Sequence, residues 1–359
     1  MRLLSATAAI LLALPGTGCA SRLRSPAPAV DVVPAINPRT SAGWHDNLLN
    51  GALLAAMVYG AGRDHERLEL AGYENLRALM PGLSVERRLG LFAARGLHAA
   101  YIAPRLWIMP WVRYPELYVL GDAHDQSLCL VFVGSNDAQD WYQNAKTSVY
   151  EDTPKAGRPF IPSGHAGFRR GVRNLIAAGF FTKDLPGLAQ EWGIKPGPDG
   201  RIPVFVAGHS LGAAMAQLSL PCIEGWHHTG EADHGFFGLE KTDGLFSVRG
   251  AYLIAPPYAV ASDEFIAPKL DHEQWQRNVR CYEWMVATYG AITWNVLHDA
   301  DVVCAIYDVR NVHEVSMKHL GHRVRIDGRG QARIDDGAWG NLRPHDYWGY
   351  YRQLRSLKE

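Results

Sequence analysis

A serine hydroxyl is a weak nucleophile until a neighbouring base takes its proton. Serine chemistry therefore needs an imidazole, a carboxylate to orient it, and donors for the oxyanion that forms. One serine here has the spacing for that work. Ser210 lies in Gly208-His209-Ser210-Leu211-Gly212, between the apolar run IPVFVAG (202–208) and the small-residue run AAMAQLSL (213–220). A sharp strand-to-helix turn would lift its hydroxyl above a sheet, and only small residues two before and two after allow that turn. The N–H of Leu211, at the helix start, would then point at a developing oxyanion. Composition alone yields a GxSxG string in roughly one chain of this size in five, so the strand-and-helix setting is what singles out Ser210. His209 reads as a packing residue.

In this kind of site the order along the chain is Ser, then acid, then His. After the apolar run 292–297 the candidate acids are Asp299, Asp301 and Asp308. The candidate bases are His298, His313, His319, His322 and His345. An Asp in the loop after a strand suits the role, which fits Asp299 and Asp301 equally.

The elements that must position these groups alternate between strand and helix. Residues 44–62 read as a helix ending in Gly, and 116–121 and 127–133 as strands joined by the turn-rich AHDQ. A helix is expected over 165–178, with Phe168, Val172 and Leu175 on one face. Strands are expected over 202–208, 249–255 and 292–297, and an edge hairpin over 323–335. The short, wholly apolar run 202–208 suits a strand buried on both faces. The expected fold is therefore α/β: a mostly parallel central sheet flanked by helices.

Composition excludes several classes. The chain has 359 residues, 36 Lys+Arg against 36 Asp+Glu, 47% hydrophobic and 20% charged residues. That is a globular composition, and a balanced charge argues against a nucleic-acid partner. There is no CxxC, HExxH, EF-hand loop, P-loop or GxGxxG, and His319-Leu-Gly-His322 alone is a poor metal signature. No metal or organic cofactor is expected.

The N-terminus reads as an export signal. Arg2 is followed by the apolar stretch Ala6–Leu14, too short to span a bilayer, and then by Gly16, Thr17, Gly18 and Cys19. This resembles a bacterial lipoprotein signal in which Cys19 is lipidated, although Gly16 stands where that signal usually has Leu. Ala20 fits outer-membrane sorting; a plain secreted or periplasmic protein is the alternative. The division expected is a signal peptide over 1–18, a proline-rich tether over 19–40, and a single domain over 41–359. No later run reaches about 18 uninterrupted apolar residues, so membrane contact would be through the N-terminal anchor or a surface. Cys129, Cys222, Cys281 and Cys304 remain, and the sequence does not rank their pairings.

From Trp44 to Tyr351 the motifs resemble, in order, those of the class 3 lipases, the fungal-type triacylglycerol lipase family. The segments are Val131-Phe132-Val133-Gly134-Ser135, Asp140-Trp141, His165-Ala166-Gly167-Phe168, GHSLGAA at 208–214, Ala255-Pro256, Asp301-Val302-Val303 and His345-Asp346-Tyr347-Trp348. The chain departs from the family pattern at Val133, where an Arg is usual, at Cys304-Ala305-Ile306, and in a longer segment 257–291. The resemblance implies an α/β-hydrolase with Ser210 as nucleophile, Asp301 as acid and His345 as base. It implies that Ser135 supplies the second oxyanion contact beside Leu211; one such donor is worth about 3–4 kcal/mol in the transition state. It also implies that 137–150 is a lid presenting Trp141 and Tyr142 over an acyl pocket. The activity expected is hydrolysis of carboxylic esters of lipids. The alternatives are a phospholipase A1-type enzyme or acyltransferase on envelope lipids, and a non-catalytic envelope lipoprotein that keeps the fold.

Overall fold

The structure is a computed structural model. It describes residues 37–58, 85–94, 96–104, 115–134, 149–150, 155–233, 236–242, 244–261, 272–298, 317–326 and 332–334. The first elements are α1 (Trp44–Val58), α2 (Val85–Ala93), β1 (His98–Ile102), β2 (Leu117–Asp122) and β3 (Ser127–Phe132). Next come β4 (Val149–Tyr150), β5 (Gly164–His165), α3 (Ala166–Ala177), α4 (Leu185–Glu191), β6 (Ile202–His209) and α5 (Leu211–Glu224). A hairpin of β7 (Trp226–Asp233) and β8 (Phe236–Lys241) leads to β9 (Phe246–Ile254) and β10 (Val260–Ala261). Then follow α6 (His272–Tyr289), β11 (Thr293–His298), β12 (Met317–Lys318), β13 (His322–Ile326) and β14 (Ala332–Ile334).

Eight strands make the central sheet, in the order β1-β2-β3-β6-β9-β11-β13-β14. Its middle is parallel: β3–β6, β6–β9, β9–β11 and β11–β13 all pair that way. The edges are antiparallel, β1 and β2 on one side and β14 on the other. The α/β class, the strands at 116–121, 127–133, 202–208, 249–255 and 292–297, and the edge hairpin at 323–335 are all found, with ends shifted by up to three residues. The helix expected over 165–178 is α3. That expected over 44–62 is α1 as far as Val58; 59–62 lie outside the described residues. Among the elements not expected are the edge strand β1, the β7–β8 hairpin and the helices α2, α4 and α6.

Strand periodicity divides the core in two. From β3, Leu128, Leu130 and Phe132 face a cluster with Phe168, Val172, Leu175 and residues of α5. The alternate residues Cys129 and Val131 face the other way, into a cluster built on α1. β6 splits likewise, Val204 and Val206 to one side and Phe205 and Ala207 to the other. Thus α3, α5 and α6 cover one face of the sheet and α1 the other. α1 is buried from Asn47 to Val58. Its two asparagines tie down the chain ahead of it: Asn47 exchanges two hydrogen bonds with the Arg39 backbone, and Asn50 donates to the Asn37 carbonyl. Among the described residues no helix is long and apolar enough to cross a membrane.

Candidate active site

β6 hands over to α5 through one residue, Ser210, whose backbone stands at φ 55° and ψ −129°. A side-chain-bearing residue rarely adopts a positive φ, and the strain costs on the order of 1–3 kcal/mol. The packing on either side holds it there. A Cβ on Gly208 would lie 2.7 Å from the Gly212 carbonyl carbon and 2.8 Å from the Ala213 nitrogen. A Cβ on Gly212 would lie 2.8 Å from the carbonyl carbons of both Phe132 and Val133. Strand end, helix start and the exit of β3 therefore approach too closely for any side chain at either glycine. The small residues expected at these offsets have their physical reason here.

Ser210 is 6% exposed. Its N–H donates to the Ile254 carbonyl at 2.9 Å, and its carbonyl accepts the Ala214 N–H at 3.2 Å as the first turn of α5 closes. Leu211 is the first residue of α5, where an N–H has no acceptor within the helix, and its side chain is buried beside Ala213 and Ala214. An anion at that helix start would meet both an unused donor and the positive end of the helix dipole. His209, 1% exposed, is a core residue, as expected.

The neighbouring strands bring their ends to the same place. β3 runs past Gly212 into buried Gly134, one residue short of Ser135. β11 lies two strands from β6, roughly 10 Å away, and leaves the sheet at the same end through His298, one residue short of Asp299. The structure thus places Ser210 and Leu211 together. Ser135, Asp301, His345, Trp141, Tyr142 and Cys19 lie outside the described residues, as do Asp299 and Asp308. Of the expected lid only Val149 and Tyr150 are described, as β4 paired with β5.

Other candidates have structural surroundings. His319 is buried and stacks on Tyr258 with ring centroids 4.2 Å apart; His322 stacks on Trp294 at 4.3 Å. Cys129 is a free, buried thiol; Cys222, whose Sγ donates to the Phe160 carbonyl at 3.3 Å, and Cys281 are buried too, and Cys304 lies outside the described residues. Burial pushes the Cys129 thiol well above its ordinary pKa, which leaves it unreactive. No group of three or more His, Cys, Asp or Glu suited to a metal occurs among the described residues. A groove of about 790 Å³ between Arg39, Trp44, Asp125, Phe205, Arg249 and Trp294 opens at the wrong end of the sheet for this chemistry. Phe205 is five residues before Ser210 along β6, roughly 17 Å away.

No protein-family model matches this chain, and no curated protein matches it. Solved lipases do show a likeness in structure. The lipase from Rhizopus microsporus var. chinensis matches at 15% identity and a TM-score of 0.46, over 90% of each chain. A point mutant of MDLA from Penicillium cyclopium matches at 15% identity and 0.49, over 86% of this chain and 96% of that one. A triacylglycerol lipase from Penicillium expansum matches at 13% identity and 0.43, over 68% and 80%. Likenesses of this degree assign neither family nor activity.

Proposed function

We propose that the protein is a serine hydrolase of the α/β-hydrolase type that cleaves carboxylic esters of lipids. The observation that carries the reading is the backbone of Ser210, held at positive φ between strand and helix by two glycines that nothing larger could replace. In the mechanism, His345 takes the Ser210 proton as the hydroxyl attacks the ester carbonyl, and Asp301 fixes the imidazole tautomer and stabilises its charged form. The N–H groups of Leu211 and Ser135 hold the tetrahedral oxyanion. The alcohol leaves with the proton from His345, and water releases the acid from the acyl-enzyme by the same steps reversed. Trp141 and Tyr142 cover the acyl chain, and a lipid-modified Cys19 tethers the enzyme to the outer membrane of a bacterial envelope. The roles of Asp301, His345, Ser135 and the lid rest on the motif resemblance and on strand ends that lead towards Ser210.

Covalent labelling with a fluorophosphonate tests the nucleophile. Wild-type protein is expected to label stoichiometrically and Ser210→Ala not at all. A wild type that folds and does not label would instead be the non-catalytic lipoprotein. Product analysis on triacylglycerol and on diacyl phospholipid, with and without an acceptor alcohol, then separates lipase from phospholipase and from acyltransferase.

A further inference from the structure

We infer that Ala255 is a positioning residue for Ser210, acting through one backbone peptide; this rests on Ser210 being the nucleophile. Among the described residues, the non-glycines at positive φ are Gln126 at 49°, Ser210 at 55° and Ala255 at 47°. Gln126 ends the turn between β2 and β3, at the other end of the sheet. Ser210 and Ala255 are neighbours. His209 and Ile254 are register partners, so the residues that follow them leave adjacent parallel strands side by side.

The peptide joining Ile254 to Ala255 is gripped from both sides. Its oxygen accepts the Ser210 N–H at 2.9 Å, and its N–H donates to the Val296 carbonyl at 2.9 Å. Val296 belongs to β11, the strand that runs on to Asp299 and Asp301. A single peptide plane therefore links the turn bearing Ser210 to β11, the strand that ends one residue short of Asp299.

Glycine would adopt this φ without strain, whereas a Cβ crowds the following carbonyl. The chain nonetheless has an alanine here, and its methyl is 0% exposed, in the core cluster that holds Ala207, Ile254 and Val296. The packed methyl confines the backbone to one narrow well, where glycine would have the whole width of both signs of φ. Confinement keeps the Ile254 carbonyl aimed at the Ser210 N–H. It thereby fixes the hydroxyl relative to the end of β11. Strained residues that the surroundings over-determine tend to cluster at functional sites, and these two share one hydrogen-bonded link.

Ala255→Gly in the full-length chain tests this, with Gln126→Gly as the control for strain relief elsewhere. The readouts are the rate of fluorophosphonate labelling, kcat and KM on p-nitrophenyl butyrate, and the melting temperature. Ala255→Gly is expected to lower kcat and the labelling rate about three- to tenfold, leaving KM and the melt unchanged. Relief of strain and added chain entropy nearly cancel in stability. Gln126→Gly is expected to keep wild-type rates. Wild-type rates in Ala255→Gly, or a loss that only follows a lower melting temperature, would overturn the positioning role. Failure of the Ser210 assignment looks different, because wild-type protein itself would then not label.

Discussion

The backbone of Gly212 runs so close to the carbonyl group of Phe132 that no side chain fits between them. The first turn of α5 and the exit of β3 are thereby packed as one unit. Gly212→Ala puts a methyl against backbone atoms that have no rotamer to escape to. It is expected to cost about 1–3 kcal/mol of stability and to slow labelling of Ser210 tenfold or more, as the donors on both segments shift. Gly90→Ala is the contrast: on α2, a Cβ there meets nothing within 4 Å. It is expected to gain about 0.5–1 kcal/mol and leave labelling unchanged. Urea titrations with labelling rates on the same samples check both, and equal rates in the two variants would rule out this packing as what holds the turn.

The proposed triad has a sharp internal test, because two aspartates follow β11 within three residues. Ser210→Ala, Asp301→Asn and His345→Ala are each expected to lower ester hydrolysis by about a thousandfold or more, with unchanged melting. Asp299→Asn is expected to stay within a few-fold of wild type. Steady-state rates on a soluble ester decide it. The reverse pattern at 299 and 301 would move the acid by two residues along the sequence and leave the rest of the mechanism standing.

A buried carboxylate at the far end of α5 makes a prediction about stability alone. Glu224 is the last residue of the helix, where the dipole disfavours a negative charge. Four donors offset this: Lys241 Nζ at 2.8 Å, the Val248 N–H at 3.0 Å, and the Trp226 indole and Tyr289 hydroxyl at 3.4 Å each. Glu224→Ala would leave these donors facing a void and is expected to cost about 2–4 kcal/mol, with Glu224→Gln costing roughly half. Fourteen helical residues put this site roughly 20 Å from Ser210, so labelling per folded molecule is expected to stay constant. Chemical denaturation gives the first number, and labelling of the folded fraction the second.

Much of this architecture is legible in the sequence, for identifiable reasons. β3, β6 and β9 are apolar runs bounded by turn residues, and Gly208 and Gly212 stand at the offsets a tight strand-to-helix turn requires. β1 is not legible: His98–Ile102 sits in an apolar stretch cut by Pro104, and its strand state depends on pairing with β2. The β7–β8 hairpin is polar and lacks alternation. What seats it is aromatic packing, with Trp284 of α6 edge-on to Trp226 at 5.1 Å and to Phe160 at 5.3 Å. Ala255 carries no residue-type signal, because its left-handed backbone is selected by a buried methyl and two backbone bonds. Sequence patterns report local preference; these three features are chosen by distant partners.

Alkaline stability follows from three buried tyrosines, two on the α1 face of the sheet and one on the other. Burial pushes the Tyr252 phenol up to about 12, against an ordinary value of 10.0, with a hydrogen bond to Asn47 opposing the shift. Burial also raises Tyr118 and Tyr289, the latter with help from the Glu224 charge. The fold favours the neutral phenol, so below pH 10 both states keep the proton and the stabilisation is whole. As pH rises from about 10 to 12 the unfolded chain ionises first, and stability falls. Tyr252 alone accounts for a loss of about 2–3 kcal/mol across that window. Urea midpoints at about pH 8, 10 and 11.5 should be level at first and then drop. Tyr252→Phe should make the drop shallower without abolishing it, because Tyr118 and Tyr289 still titrate; a drop as steep as in wild type would mean that Tyr252 ionises as readily folded as unfolded.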